Sequence, residues 1–462
     1  MLRLFWVLLL KLSLVHSARP SVSPLDQEPS KPLKTDRIAI IGGGVSGLTA
    51  AFRLEQLGYE GVTLYEQEDR FGGKVYSYDY NGHVYEVGAI WAERDHDVLM
   101  ELATAFNFSL VPDPGIMLVR SGNGTDFNYN QVPSAILSEM ILKYPSWSKV
   151  ADKYGYLTEP EGFFYANDPD LFLNFDEFAE QNDIEVYASY FRPFWIGCGY
   201  GYYETTPAMY VLKLALQVAG GILGGGTPEP QFNSQLLIAP EGFQTLFVDV
   251  GESLKDARLN SKVTSIQRTK QGNATRIQVD VDGVTEVYDY LILTSNLRDA
   301  LDYLDASEEE VELFTQVQSY DLLVQLTKTT TPTEWPTTVF FNQYGTPNTS
   351  GHVVGIRNGI VDDNIWSSGQ INQQNASLEQ MDVLHRKDFV AAGLSPVETV
   401  KQVSWNYFPH VDGKSLASGF YPKIDALQGN QNTFYLGSVL GFETVMGTAD
   451  FANTLILKKF SS

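Results

Sequence analysis

DRIAIIGGGVSGLTAAFRLEQLGYEGVTLYEQEDRFGGK, residues 36–74, decides the fold. A mostly β-branched run, Ile38 to Ile41, leads into Gly42, Gly44 and Gly47 in the spacing G-x-G-x-x-G. A helical pattern follows to Leu57, Gly58 ends it, and Val62 to Tyr65 reads as the next strand. Glu66 stands nineteen residues after the third glycine. This is a βαβ unit with an acid where a dinucleotide's ribose lies. Gly42 permits the tight turn, Gly44 lets backbone approach a pyrophosphate, and Gly47 lets helix and strand pack closely. The helix start, with Ser46, supplies N–H groups and a positive dipole end. Glu66 accepts from ribose hydroxyls and repels a 2′-phosphate, which argues against NADP. A lone glycine motif is weak evidence. Here strand, helix and distal acid agree.

The next residues separate FAD from NAD. Glu66-Gln67-Glu68-Asp69-Arg70-Phe71-Gly72-Gly73-Lys74 resembles the E-x-x-x-R-x-G-G-R/K extension of the FAD-dependent amine oxidase and phytoene desaturase superfamily. Glu86-Val87-Gly88-Ala89-Ile90-Trp91 resembles its strand beside the isoalloxazine ring. Pro240-Glu241-Gly242-Phe243 with Leu246 resembles its central G-G-x-x-x-L element. Ala257–Arg268 resembles the strand whose valine, here Val263, meets the adenine through its backbone. Phe434-Tyr435-Leu436-Gly437-Ser438 and Thr444-Val445-Met446-Gly447-Thr448 resemble the closing flavin motif. The blocks stand in order across residues 36–456, which is more specific than any one of them.

The resemblance implies a discontinuous Rossmann-like FAD-binding domain of amine-oxidase type, with an inserted α+β substrate domain. It implies cofactor contacts from Gly42, Gly44, Ser46, Gly47, Glu66, Arg70, Gly73, Lys74, Gly88, Val263, Val445 and Met446. The superfamily's usual A-G-E, whose glutamate meets the flavin polyol chain, is here Leu436-Gly437-Ser438. Covalent attachment in the superfamily uses a cysteine in that closing motif. The motif has none here, so the FAD is expected to be non-covalent. A narrower resemblance lies in Gly441-Phe442-Glu443-Thr444-Val445-Met446-Gly447-Thr448, in Trp405–Val411 and in Gly199–Tyr203. These look like the fungal β-cyclopiazonate dehydrogenase family, which implies secondary metabolism and an aromatic or polycyclic substrate. Hydride would then pass from a substrate carbon to the flavin N5.

With 462 residues, 44% of them hydrophobic, the protein can bury a large core. Cys198 is the only cysteine, so no disulfide forms within the chain. A net charge of −24 opposes nucleic acid and anionic membranes. The six histidines show no metal-ligand spacing, and no metal is expected. Residues 1–17 read as a secretory signal peptide: Arg3, the apolar run Leu4–Leu10, and small residues before a cut after Ser17. A secreted or vesicular location is therefore expected. The sequons at Asn107, Asn123, Asn273, Asn348 and Asn375 suit that route. No window is long and apolar enough for stable membrane insertion.

Residues 18–35, rich in Ser and Pro, read as a flexible leader. FAD-domain segments are expected at 36–110, 240–310 and 431–462. A helical, aromatic-rich part of the substrate domain spans 111–239, and its sheet part spans 311–430. Gly220-Gly221 and Gly224–Gly226 read as a flexible turn. Tyr187–Tyr203 holds eight aromatic residues in seventeen positions. Most suit core packing, and Trp405 and Tyr407 are the first choices for the substrate pocket. No side chain is marked as a catalytic base; His352 and His410 read as structural. Three functions stay open: a dehydrogenase or oxidase of an aromatic small molecule, a plain amine or amino-acid oxidase releasing peroxide, and a non-catalytic flavin-binding relative. The electron acceptor is open too, with oxygen among the candidates.

Overall fold

Arg37–Ile41 forms the middle strand of a parallel sheet, with Gly61–Tyr65 on one side and Tyr290–Leu293 on the other. Among the described residues the order is Ala257–Arg258, Gly61–Tyr65, Arg37–Ile41, Tyr290–Leu293, Thr433–Tyr435. The computed structural model describes residues 32–461, apart from 95, 123–125, 130, 224–235, 273, 332–335 and 361–362. All pairings in this sheet are parallel. Its strands are near-continuous apolar runs because both faces are covered. Helix Val45–Gln56 follows the first strand and packs against the final helix, Val445–Phe460. Strands from three separated stretches thus complete one nucleotide-binding sheet.

Beside that sheet, Arg268 holds three stretches together. Its guanidinium, with no side-chain exposure, donates to Asp305 Oδ1 at 2.7 Å and to Glu310 at 2.6 and 2.7 Å. The Tyr435 hydroxyl also donates to Glu310. Burial opposes the Glu310 charge, yet bonds from Arg268 and Tyr435 outweigh it and bring the group down to about 2.

A second sheet, among the described residues, runs in the order Pro396–His410, Gln318–Thr329, Ile365–Asn372, Val353–Asn358, Thr337–Phe341, Ile116–Arg120, Phe127–Asn128. It is antiparallel except where Ile116–Arg120 runs parallel to Thr337–Phe341. Ile116–Arg120 lies in the stretch expected to be helical. It is a strand because it pairs with Thr337–Phe341, and its burial alternates, with Met117 and Val119 inward. Helices Ser134–Tyr154, Phe175–Gln181, Glu185–Gly197 and Ala208–Leu223 do make much of that stretch helical, beside the short strands Val111–Pro112, Phe127–Asn128 and Leu236–Ile238.

Gly220 and Gly221, expected in a turn, belong to the end of helix Ala208–Leu223. Its apolar run carries the helix through them despite the propensity cost of glycine. Gly224–Gly226 lie outside the described residues, as do the signal peptide and most of the leader. The leader's last residues are seated, not loose. Tyr59 Oη donates to the Pro32 carbonyl at 3.1 Å, and the Lys34 ammonium lies 4.0 Å from the Tyr59 ring centroid.

Candidate active site

A cavity of about 1070 Å³ opens between the two sheets. That exceeds the roughly 300–1,000 Å³ of a usual small-molecule site, so it has room for a cofactor and a substrate side by side. One half is the nucleotide side. Gly42, at φ +114°, makes the turn after the first strand, a conformation that favours glycine. A Cβ on Gly47 would lie 2.0 Å from the Gly42 carbonyl oxygen, so helix and turn meet there in backbone contact. No side chain caps the helix at Gly44, which leaves its first N–H groups for an anionic ligand.

Glu66 is preset beneath this loop. Its Oε2 accepts from Gly43 N at 2.6 Å and its Oε1 from Glu68 N at 2.8 Å. Gly72 N donates to Gly43 O, locking the second glycine pair onto the first. Arg70 lies over the Tyr76 ring at 4.1 Å and near Trp405 at 5.8 Å, yet its Nη1 is buried without a hydrogen-bond partner. A buried, unspent guanidinium N–H facing a dinucleotide cradle fits FAD. Val263 closes the same end beside Ser261, whose N donates to Glu66 O at 2.7 Å.

At the other end of the nucleotide half stand Gly88, Val445 and Met446. The last two begin helix Val445–Phe460, capped by Thr444 Oγ1 accepting from Gly447 N at 2.9 Å. Lys74 is tied to Glu443, 369 positions on, at 2.8 and 2.9 Å. All the sequence-expected cofactor residues line the cavity except Gly47, whose place is the helix–turn contact beneath it.

The substrate half is mostly apolar. Leu322, Val324, Phe340 and Ile356 come from the second sheet, Phe194 from helix Glu185–Gly197, and Trp91 stacks on Phe194 at 6.1 Å. Trp405 and Tyr407 line it from the edge strand Pro396–His410. Trp405 Nε1 donates to Val87 O at 2.8 Å, and Tyr407 Oη donates to Cys198 O at 3.2 Å. Tyr200 stacks on Tyr407 at 5.9 Å and donates to Glu443 O. Of the rings in 187–203, only Phe194 and Tyr200 line the cavity; the rest pack in the core. Cys198 lines it in the turn at Gly199, and burial pushes its thiol well up, which makes a poor nucleophile.

His410 and His352 do not line the cavity. His410 is buried with its Nδ1 2.7 Å from Phe408 O, and burial brings it down to about 4. His352 Nδ1 is 3.0 Å from Asp388. Asn107 and Asn375 are exposed in loops and Asn348 is exposed in the short helical turn Pro347–Thr349, while Asn123 and Asn273 lie outside the described residues. Among the described residues no group of His, Cys, Asp and Glu is placed to hold a metal, and no helix is long and apolar enough to cross a membrane.

Sequence reasoning missed two polar constellations. Arg357 projects to the cavity with Nη1 on Asp113 Oδ2 (2.9 Å) and Thr338 Oγ1 (2.9 Å), and Nη2 on Asp113 Oδ1 (3.2 Å). Trp91 Nε1 donates to the same Asp113 at 2.7 Å. Burial opposes the Asp113 charge, but Arg357 holds the carboxyl below its usual range. No local motif announces this pair. Glu93 also lines the cavity, with His96 behind it and Asp450 behind His96. Proximity of Glu93 to the Gly88–Trp91 block was the available signal.

The profile of flavin containing amine oxidoreductases matches residues 45–341, nearly two thirds of the chain. A polyenoic fatty acid isomerase of Ptilota filicina is 24% identical over 338 residues, covering 63% of each chain. The FAD-dependent oxidoreductase oblC of Cochliobolus heterostrophus is 22% identical, covering 93% of this chain and 92% of that protein. The crystal structure of a CLA-producing fatty acid isomerase from P. acnes superposes with a TM-score of 0.83 at 24% identity, over 93% of this chain and all of that one. The matched profile, the two-sheet architecture and the dinucleotide cradle agree: the chain belongs to the flavin containing amine oxidoreductase family and is an FAD-dependent oxidoreductase.

Proposed function

We propose that this enzyme oxidises a largely apolar aromatic or polycyclic small molecule, in fungal secondary metabolism of the kind the β-cyclopiazonate dehydrogenase resemblance implies. The supporting observation is the substrate half of the cavity, walled by Trp91, Phe194, Phe340, Leu322 and Tyr407. Such walls favour a flat apolar ligand and exclude water from the reacting bond. Bound FAD supplies the hydride acceptor. Tyr200 and Tyr407, anchored through their hydroxyls, hold the aromatic wall rigid. The relative oblC, matched along most of both chains, is likewise an FAD-dependent oxidoreductase, which fits the redox part of this reading. The test is anaerobic mixing of the flavoprotein with indoline, tetrahydro-β-carboline and benzylamine. Lasting loss of the oxidised-flavin absorbance with the polycyclic probes supports the proposal. Turnover of benzylamine alone, with peroxide release in air, refutes it in favour of a simple amine oxidase.

A second substrate class has its own support. Arg357 spends three donations on Asp113 and Thr338, so a guanidinium with five N–H donors keeps two for a carboxylate. Together with the Ptilota isomerase match, this favours a polyenoic fatty acid. Linoleic acid converted to a conjugated diene without oxygen, and without lasting flavin reduction, identifies an internal isomerisation. We also propose passage through the secretory route, supported by the Arg3 to Ser17 pattern and the exposed Asn107, Asn348 and Asn375. A glycosidase-sensitive mobility shift of the protein isolated from its native source tests that.

A further inference from the structure

Oxidation of a C–H bond beside an N–H or O–H releases two hydrogens. One leaves as hydride, and the other leaves as a proton that needs an acceptor in a cavity built to exclude water. The tyrosines on the wall are poor acceptors, since burial pushes Tyr200 and Tyr407 well above their usual range. Cys198 is raised in the same way. Glu93 is different. It ends the short strand Ala92–Glu93, pairs with Leu236, and lines the cavity two residues past Trp91.

Behind Glu93 stands a positioning device. Its Oε2 is 3.1 Å from His96 Nε2, and His96 Nδ1 is 3.0 Å from Asp450 Oδ2. Asp450 lies on the final helix, little more than a turn beyond Val445 and Met446, so the device is anchored to the element that carries the flavin motif. The imidazole is largely buried, at 11% side-chain exposure. Burial opposes its charge, but the bonds with Asp450 and Glu93 outweigh that and raise it to about 9. An imidazole held between two carboxylates keeps Glu93 aimed, with Oε1 left for a ligand. Among the described residues, the other titratable groups facing the cluster are Cys198, near Glu93, and Lys213, near Asp450. The Lys213 ammonium is spent on the Leu157 and Glu159 carbonyls at 2.9 Å.

We propose that Glu93 accepts the proton the substrate loses on oxidation, and that His96 and Asp450 position it. The proposal rests on the oxidation reading given above. In the step, the substrate N–H or O–H bond breaks and its proton goes to Glu93 Oε1. The freed electron pair forms the new double bond, and the adjacent C–H leaves as hydride to FAD, the oxidant of the established activity.

Indoline is the probe: it carries no charge at neutral pH and loses hydride from C2 and a proton from N1. Anaerobic flavin reduction by indoline is followed against pH in the holoenzyme. Wild type is expected to slow toward acid, as a step that needs a proton acceptor does. Glu93→Gln is expected to reduce about 100-fold more slowly, with a flat profile and with indoline and FAD affinities within about twofold of wild type. Glu93→Asp is expected to recover part of the rate. His96→Gln is expected to slow flavin reduction with indoline affinity within about twofold of wild type, because Glu93 loses the imidazole that holds it in place. Separately from activity, the nitrogen resonances of His96 are expected to titrate near 9 in wild type and lower in Glu93→Gln. A Glu93→Gln enzyme with the wild-type rate and pH profile overturns the proposal alone. A wild type whose flavin no probe reduces refutes the oxidation reading and takes the proposal with it.

Discussion

Replacing Arg70 by Met separates cofactor binding from folding. In the protein without FAD, no described residue accepts a hydrogen bond from Arg70, and its Nη1 is buried and unspent. What the apoprotein loses is the guanidinium stacking on Tyr76 at 4.1 Å and the longer approach to Trp405. Such cation–π contacts contribute about 0.5–2 kcal/mol, and the Met side chain retains the stem packing. With FAD bound, the variant also loses charge-assisted hydrogen bonds worth about 1.5–3 kcal/mol. At about 1.4 kcal/mol per tenfold, the FAD dissociation constant should rise about 10- to 150-fold. The assay is fluorescence titration of FAD into flavin-stripped protein, paired with thermal unfolding of the same apoprotein. Arg70→Lys keeps the charge without the planar fork and should fall between the two. An Arg70→Met protein that binds FAD within twofold of wild type would refute the placement of Arg70 on the cofactor. So would an apoprotein destabilised as much as the holoprotein.

Gly47→Ala places a Cβ 2.0 Å from the Gly42 carbonyl oxygen and 3.1 Å from Thr294 Oγ1. The backbone must part there, and the protein should purify without flavin, read from its visible absorbance. Arg268→Met strands the buried Glu310 carboxylate and should cost about 3–5 kcal/mol by urea unfolding. His96 sets a pH dependence of stability. Its folded value of about 9 lies above an unfolded value near 6.5, so the native state holds the proton more tightly. The contribution is fully present below about pH 6.5 and is lost as pH rises through 9. At about 1.36 kcal/mol per unit it amounts to about 3 kcal/mol. Denaturant midpoints measured across that window should fall in wild type and stay level in His96→Gln, once the common background is subtracted.

Elements with a strong local pattern came close to their sequence boundaries. The helix after Gly44 ends at Gln56, with Gly58 at φ +88° just beyond, because glycine adopts that conformation without strain. The strands at Arg37–Ile41 and Gly61–Tyr65 also lie within a residue of their sequence positions. Ile116–Arg120 was hidden because a short run of apolar residues fits helix and strand alike until a partner strand is known. The eight rings of Tyr187–Tyr203 marked an aromatic region, but composition does not say which rings face a cavity. Packing left two there and buried the others.

The sequence by itself determined the nucleotide half. Its tight turn, helix start and ribose-side acid all lie within one βαβ unit, where contacts follow from spacing along the backbone. Only the tertiary structure decided the reacting half. Lys74 meets Glu443, Arg357 meets Asp113, and His96 meets Asp450 across separations of 369, 244 and 354 residues. Local motifs mark some of these residues, but no local spacing says which residue meets which. Their pairing exists because two sheets close on one cavity, where burying a charge is tolerated only beside its opposite.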